Sequence, residues 1–124
     1  MQTTFDETVI RRALRKTWSL ETATQWTPEN PASGQCNVTA AVIFDLFGGE
    51  ILRTRLAGVW HYYNRIEGNR VDFTDSQFSS PGALFAAPAR YDDEPTTRAA
   101  AMTGIPNGEY DALKSALLSE LQTM

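Results

Sequence analysis

Residues 35–49 decide the fold, and their sequence is QCNVTAAVIFDLFGG. Apolar side chains occupy most positions between Val38 and Phe47, which is typical of a helix buried on nearly all sides. Gly48 and Gly49 follow at once, and glycine commonly ends helices. The segment therefore predicts a central helix that begins at Gln35 or Cys36 and against which other elements pack.

Elements of both kinds flank this helix. Apolar positions at helical spacing predict a first helix over residues 6–17, with a capping box formed by Thr4 and Glu7, and a last helix over residues 109–122. The other predicted segments are, in chain order, a helical turn at 19–24, a loop to residue 34, strands at 50–57, 59–66 and 70–74, an irregular stretch at 79–90, a solvated acidic loop at 92–94 and a short helix at 97–103.

The order of these elements predicts an α+β fold. Helices and strands do not alternate along the chain, and the strands follow one another through short turns, as in an antiparallel meander. We expect the central helix to pack on a small antiparallel sheet, with the C-terminal helix beside it. At 124 residues the chain has the size of one domain, so residues 1–124 are predicted to form a single domain.

Composition and charge lower the expectation for several classes of function. A formal net charge of −4 disfavours binding to nucleic acid or to an anionic membrane. No apolar stretch approaches the length of a membrane span, and Met1–Lys16 lacks the apolar segment of a signal peptide. The single cysteine excludes an intrachain disulfide and suits a reducing compartment, so a cytoplasmic location is predicted.

The chain also holds only one histidine, and one cysteine with one histidine cannot complete a structural zinc site. No spacing of acidic residues indicates another metal, and no glycine-rich phosphate loop is present. We therefore predict neither a metal nor a cofactor.

Cys36 is the first candidate for chemistry because it opens the central helix. The helix macrodipole and the free N–H groups of the first turn both favour a thiolate there, and the same N–H groups can hold an oxyanion. Gly34, just before it, would allow the backbone of a substrate to approach. The alternative is that Cys36 is a small, inert core residue.

His61 and Asp72 are the other two candidates, and the hairpin between them decides whether they meet. If Glu67 and Gly68 form the turn, Ile66 pairs with Asn69, and Asp72 lies diagonally across from His61 on the same face of the sheet. A turn one residue further along would place Asp72 opposite Arg65 instead, as a surface ion pair. An odd-numbered loop would turn Asp72 to the other face.

Several segments of the sequence carry recognisable motifs, namely Trp18–Thr22, Asn30–Ala40, Gly48–Arg53, His61–Ile66 and Asp72–Phe78, and more loosely Thr97–Leu117. Together these segments resemble the YunG-like family of small bacterial proteins. A wider resemblance, to papain-like and transglutaminase-like cores, rests on Cys36 at a helix start, His61 on a strand, and Asp72 with Thr74 after it.

These resemblances imply a Cys36–His61–Asp72 triad, in which a thiol nucleophile is activated by a base that an acid orients. Gln35 is a candidate oxyanion donor. Asn30, six residues before the cysteine, is its rival but is equally typical of an Asn-Pro turn. The expected activity is hydrolysis or acyl transfer on a small amide or peptide-like substrate. The alternative is a non-catalytic binding or regulatory protein, for example an immunity-like one, that recognises a protein partner. The sequence predicts no oligomeric state.

Overall fold

The computed structural model describes residues 4–123. Residues 1–3 and 124 lie outside the described residues. The predictions for residues 1–124 as one domain and for Met1–Lys16 as free of a signal peptide therefore fall partly on residues that the structure does not describe. The chain forms an α+β fold, as predicted. Its elements are α1 (Glu7–Thr17), α2 (Cys36–Phe47), β1 (Glu50–Leu56), β2 (Val59–Ile66), β3 (Asn69–Val71), a 3-10 turn (Asp75–Phe78), β4 (Glu94–Thr96), α3 (Arg98–Met102) and α4 (Glu109–Gln122).

Helix α2 is the central element. Its residues 38–43 are all buried, and it contacts β2 on one side and α3 and α4 on others, while α1 packs against α4. Gly49, just after the helix, has a φ of +78°, and a Cβ there would lie 2.2 Å from the carbonyl oxygen of Arg65. Only glycine therefore fits where the chain leaves α2 and enters β1.

The first helix has the predicted bounds but a different cap. Asp6 is the N-cap, and its carboxylate accepts a hydrogen bond from the Val9 N–H at 3.1 Å. The predicted capping box of Thr4 and Glu7 is wrong. Asp6 occupies the capping position, and Glu7 instead pairs with Arg11 one turn later at 2.9 Å.

The four strands form one antiparallel sheet in the order β3-β2-β1-β4. Ile66 pairs with Asn69, so Glu67 and Gly68 form the turn, the first of the three geometries that the sequence allowed. Strand β3 ends at Val71 rather than at the predicted residue 74. The Asp72 side chain accepts a hydrogen bond from the Thr74 N–H, which turns the chain away from the ladder.

Residues 19–24 contain one turn with the hydrogen bonding of a helix, as predicted. The Ser19 carbonyl accepts from the N–H groups of Thr22 and Ala23, both at 3.1 Å, and the Ser19 N–H donates to the Thr22 hydroxyl at 3.0 Å.

The acidic stretch 92–94 is a loop only in part. Asp92 and Asp93 precede the strand, as predicted, whereas Glu94 opens β4 and pairs with Arg53 of β1. Residues 79–90 contain no helix or strand, as predicted. Within residues 4–123, no helix is both long and apolar enough to cross a bilayer.

Candidate functional site

His61 and Asp72 form a buried hydrogen-bonded pair. Nε2 of His61 lies 2.7 Å from Oδ2 of Asp72, and their side chains are 2% and 5% exposed. The short hairpin turn produces this contact, because it places the residue just beyond β3 diagonally opposite His61 on β2. The alternative ion pair with Arg65 is not formed, since Arg65 pairs with Glu50 at 3.4 Å.

The Asp72 carboxylate is held by three further hydrogen bonds. The Tyr91 hydroxyl donates to Oδ2 at 2.8 Å, and the backbone N–H and hydroxyl of Thr74 donate to Oδ1 at 3.1 and 3.2 Å. Gln77 in turn donates to the Thr74 hydroxyl at 3.1 Å. A carboxylate with this many donors has a fixed orientation, so the imidazole that it contacts is fixed as well.

Aromatic rings enclose the imidazole. Phe78 meets it edge-on at 5.1 Å between ring centroids, Tyr63 stacks at 5.9 Å, and Tyr91 lies at 6.4 Å. The Tyr63 hydroxyl donates a hydrogen bond to Asp93 at 3.0 Å. The Arg70 guanidinium donates two more hydrogen bonds to the same carboxylate, each 2.7 Å long. The ring of His61 is therefore immobilised by packing and by hydrogen bonding together.

Cys36 is the first residue of α2, is partly buried, and faces this pair. Its thiol donates to Oδ1 of Asn37 at 3.2 Å. Because Asp72 occupies Nε2 of His61, Nδ1 is the ring nitrogen left for an interaction with the Cys36 sulfur. The three predicted residues Cys36, His61 and Asp72 thus lie together.

The pKa of His61 reflects these contacts. Burial by itself lowers the pKa of the imidazole, but hydrogen bonding and electrostatic attraction, first from Asp72 and then from Cys36, outweigh burial and raise that pKa to about 9. The imidazole is consequently positively charged at neutral pH.

Cys36 and His61 both line a cleft of about 280 Å³. The cleft lies at the end of the β1–β2 hairpin, and its walls include Trp60 of β2 and Leu84 and Phe85 of the irregular segment 79–90. A small molecule in this cleft can therefore contact the thiol and the imidazole at once.

Gln35 and Asn30 are not among the side chains that line this cleft. Gln35 is fully buried, and its Oε1 accepts from the Thr22 hydroxyl at 2.8 Å, while its Nε2 has no hydrogen-bond partner within residues 4–123. Asn30 lies in a turn with Thr27 and donates to the carbonyl of Gln77 at 3.1 Å. The role of Gln35 as an oxyanion donor stays a prediction.

Gly34 also lines this cleft. A Cβ at this position, whose φ is +74°, would lie 2.3 Å from Oε1 of Gln25, so the conformation and the close contact both require glycine. The approach of a substrate backbone to Gly34 stays a prediction.

Sequence reasoning missed three residues of the site, namely Asn37, Phe78 and Tyr91. Asn37 is next to the cysteine in the sequence, but its contact depends on a side-chain rotamer. Phe78 and Tyr91 come from the 3-10 turn and from the end of an irregular segment, where no periodicity indicates which side chains point inward. An aromatic residue just before the acidic stretch was the one available signal for Tyr91.

These features define an α+β protein in which a cysteine at the first position of a helix lies beside a buried His–Asp pair. A family model described as "YunG protein" matches residues 6–122. The chain is also 36% identical over 115 residues to "Uncharacterized protein YunG" of Bacillus subtilis (strain 168), covering 93% of this chain and 94% of that relative. The chain therefore belongs to the YunG family, as its sequence motifs predicted. No solved structure matches it.

Proposed function

We propose that this protein is a cysteine hydrolase or acyl-transfer enzyme that acts on an amide substrate in the cytoplasm, on a core of the papain-like or transglutaminase-like type. The observation that carries the proposal is that Cys36 and His61 line one cleft while the buried Asp72 holds His61. A cationic imidazole that hydrogen-bonds a thiol is the general arrangement that activates a cysteine nucleophile.

In the first half of the reaction, the Cys36 thiol releases its proton to solvent, and the resulting thiolate, stabilised by the positive charge of His61, attacks the carbonyl carbon of the amide and forms a C–S bond. The carbonyl oxygen takes the negative charge and accepts from the Cys36 N–H, because the first N–H groups of a helix have no acceptor within it. The C–N bond then breaks as His61 gives its Nδ1 proton to the departing amine, and a thioester remains. In this proposal Gln35 is the second oxyanion donor, because its Nε2 has no hydrogen-bond acceptor within residues 4–123.

In the second half, water or an acceptor amine attacks the thioester carbon. His61, now neutral, takes the proton of the attacking group, and the C–S bond breaks to release an acid or a new amide. The sulfur anion and the imidazolium are thereby restored. Asp72 holds the imidazole in place and stabilises its positive charge throughout.

The test is the rate of Cys36 alkylation by iodoacetamide between about pH 5 and pH 9, in the native protein and in His61→Ala. We expect the native thiol to react rapidly in the acidic part of this range, and His61→Ala to slow it there by about tenfold or more. Since the chain has one cysteine, Cys36→Ser gives the background of the assay.

Identical profiles in the native protein and in His61→Ala would overturn the proposal. They would leave Cys36 as a packing residue and favour the binding or regulatory alternative. Circular dichroism of His61→Ala is the control for folding.

A further inference from the structure

A second cleft adjoins the first beside Cys36. It has a volume of about 290 Å³ and lies between the loop before α2 and the segment that leads into α4. Three residues, Gln25, Gly34 and Asn37, line both clefts. The thiol is therefore next to the junction, with room for a ligand on each side.

The first cleft is lined by apolar side chains that remain exposed and so do not contribute to the folded core. Among the described residues, four large hydrophobic side chains are exposed, and three of them line this cleft: Val59 (51%), Leu84 (61%) and Phe85 (37%). Exposing apolar side chains together is unfavourable in water, and such a patch commonly marks a binding surface. Leu20, the fourth, lies outside both clefts.

The second cleft has the opposite chemistry. Among the residues that the structure describes, one ionisable side chain lines it, that of Glu109, the first residue of α4. Partial burial raises the pKa of this carboxyl, and no other influence on it is found within the described residues. A positive group in the cleft would offset the cost of that burial.

The position of His61 fixes the direction of the substrate. In the proposed reaction His61 protonates the departing amine, so that amine must lie on the side of the imidazole. His61 lines the first cleft and not the second. The amine half of the amide therefore occupies the apolar cleft, and the acyl half occupies the cleft that holds Glu109.

We propose that the substrate is an amide whose acyl half carries a positive charge, paired with Glu109, and whose amine half carries a bulky apolar group, seated against Val59, Leu84 and Phe85. This inference rests on the proposed function, because the direction of the amide depends on the role of His61. An amide formed by a lysine-like acyl group and a leucine-like amine has the required chemistry.

The experiment uses four compounds: N-acetyl-lysine or N-acetyl-norleucine, each joined to leucine amide or to serine amide. The first reading is the concentration of each that halves the rate of Cys36 alkylation, and the second is cleavage, followed by mass spectrometry. We expect the lysine compounds to protect at about fivefold lower concentration than the norleucine compounds, and leucine amide to improve protection by about tenfold over serine amide.

Matched variants assign each preference to its cleft. Glu109→Gln should reduce the preference for lysine to about one, whereas Asp111→Asn, which removes an exposed charge from the same turn of α4, should keep it. Leu84→Ser should abolish the preference for leucine amide, and Leu20→Ser, equally exposed but outside the clefts, should not.

The outcomes separate the two proposals. Equal protection by all four compounds, or a lysine preference that survives Glu109→Gln, would overturn the inference even if cleavage occurs. The expected protection pattern without cleavage of any compound would instead overturn the proposed reaction, and the clefts would remain a binding site for this class of ligand.

Discussion

His61 is subject to two opposing influences. Burial disfavours its positive charge, while Asp72 and Cys36 favour it, and the balance leaves the imidazole charged at neutral pH. Asp72 can exert this effect because Tyr91 and Thr74 fix its carboxylate. The main contribution to the charge on His61 thus comes from a contact with Asp72 that depends on several supporting hydrogen bonds.

Removing the Asp72 charge should therefore change the pKa of His61 from raised to lowered, relative to its ordinary value. In Asp72→Asn, burial remains while the main favourable interaction is lost, so we expect the pKa of His61 to fall from about 9 to below about 6.5. Nuclear magnetic resonance of the imidazole Cε1–H measures this directly, and the chain's single histidine removes any ambiguity of assignment.

Asp75→Asn is the control for this titration. Asp75 is three residues away and pairs with Arg11 rather than with His61, so the midpoint should change little. An unchanged midpoint in Asp72→Asn would show that Asp72 does not determine the charge of His61.

At this scale the sequence predicts the contact between His61 and Asp72 but not its surroundings. Because side chains alternate along a strand and the turn has few possible positions, only a few relative placements of His61 and Asp72 are possible. Tyr91 lies 19 positions beyond Asp72, at the end of an irregular segment, and nothing local indicates that its hydroxyl returns to the carboxylate. Gln25 fills the space beside Gly34 for the same reason, through a tertiary contact between two loops.

The two hairpins of the sheet use the same turn. Ala57 and Gly58 have φ values of 50° and 84°, and Glu67 and Gly68 have values of 53° and 82°. In each turn both central residues have positive φ, the type I′ geometry that matches the twist of antiparallel strands. The second of these turns sets the register that brings Asp72 to His61.

Replacing Glu67 with asparagine should stabilise the protein. Asparagine adopts positive φ more readily than glutamate, so Glu67→Asn should raise the free energy of unfolding by about 0.5–1 kcal/mol, measured by urea denaturation. Ala57→Asn should give a similar gain in the other hairpin. A loss of stability in both variants would contradict this assignment of the turns.

Among the elements, the sequence predicts those that follow a strong pattern. The apolar run of α2 and the amphipathic spacing of α4 predicted both helices closely. Strand β4 was not predicted because it has only three residues, and two of them, glutamate and proline, are disfavoured in sheets. Its pairing with β1 is a tertiary effect that outweighs these local preferences.

The stability of the whole molecule should depend on pH through His61. Its pKa is about 6.5 in the unfolded chain and about 9 in the folded protein, so below about pH 6.5 both states are protonated and the stabilising contribution is complete. As the pH rises towards 9 the unfolded chain binds fewer protons than the folded one, and the contribution is progressively lost.

Urea unfolding of the native protein and of His61→Gln, at intervals between about pH 6 and pH 10, isolates this effect. The difference in unfolding free energy between them should decrease as the pH rises through this window. A difference that stays constant would exclude His61 as the titrating group.

Both edges of the sheet are short. Strand β3 and strand β4 have three residues each, and β4 contains Pro95, which has no N–H to donate. A flat, long edge invites another strand to join the sheet, and these edges offer only a few donors and acceptors. A peptide that reaches Cys36 must therefore be recognised through its side chains rather than as an added strand, so short compounds should compete with longer peptides on nearly equal terms.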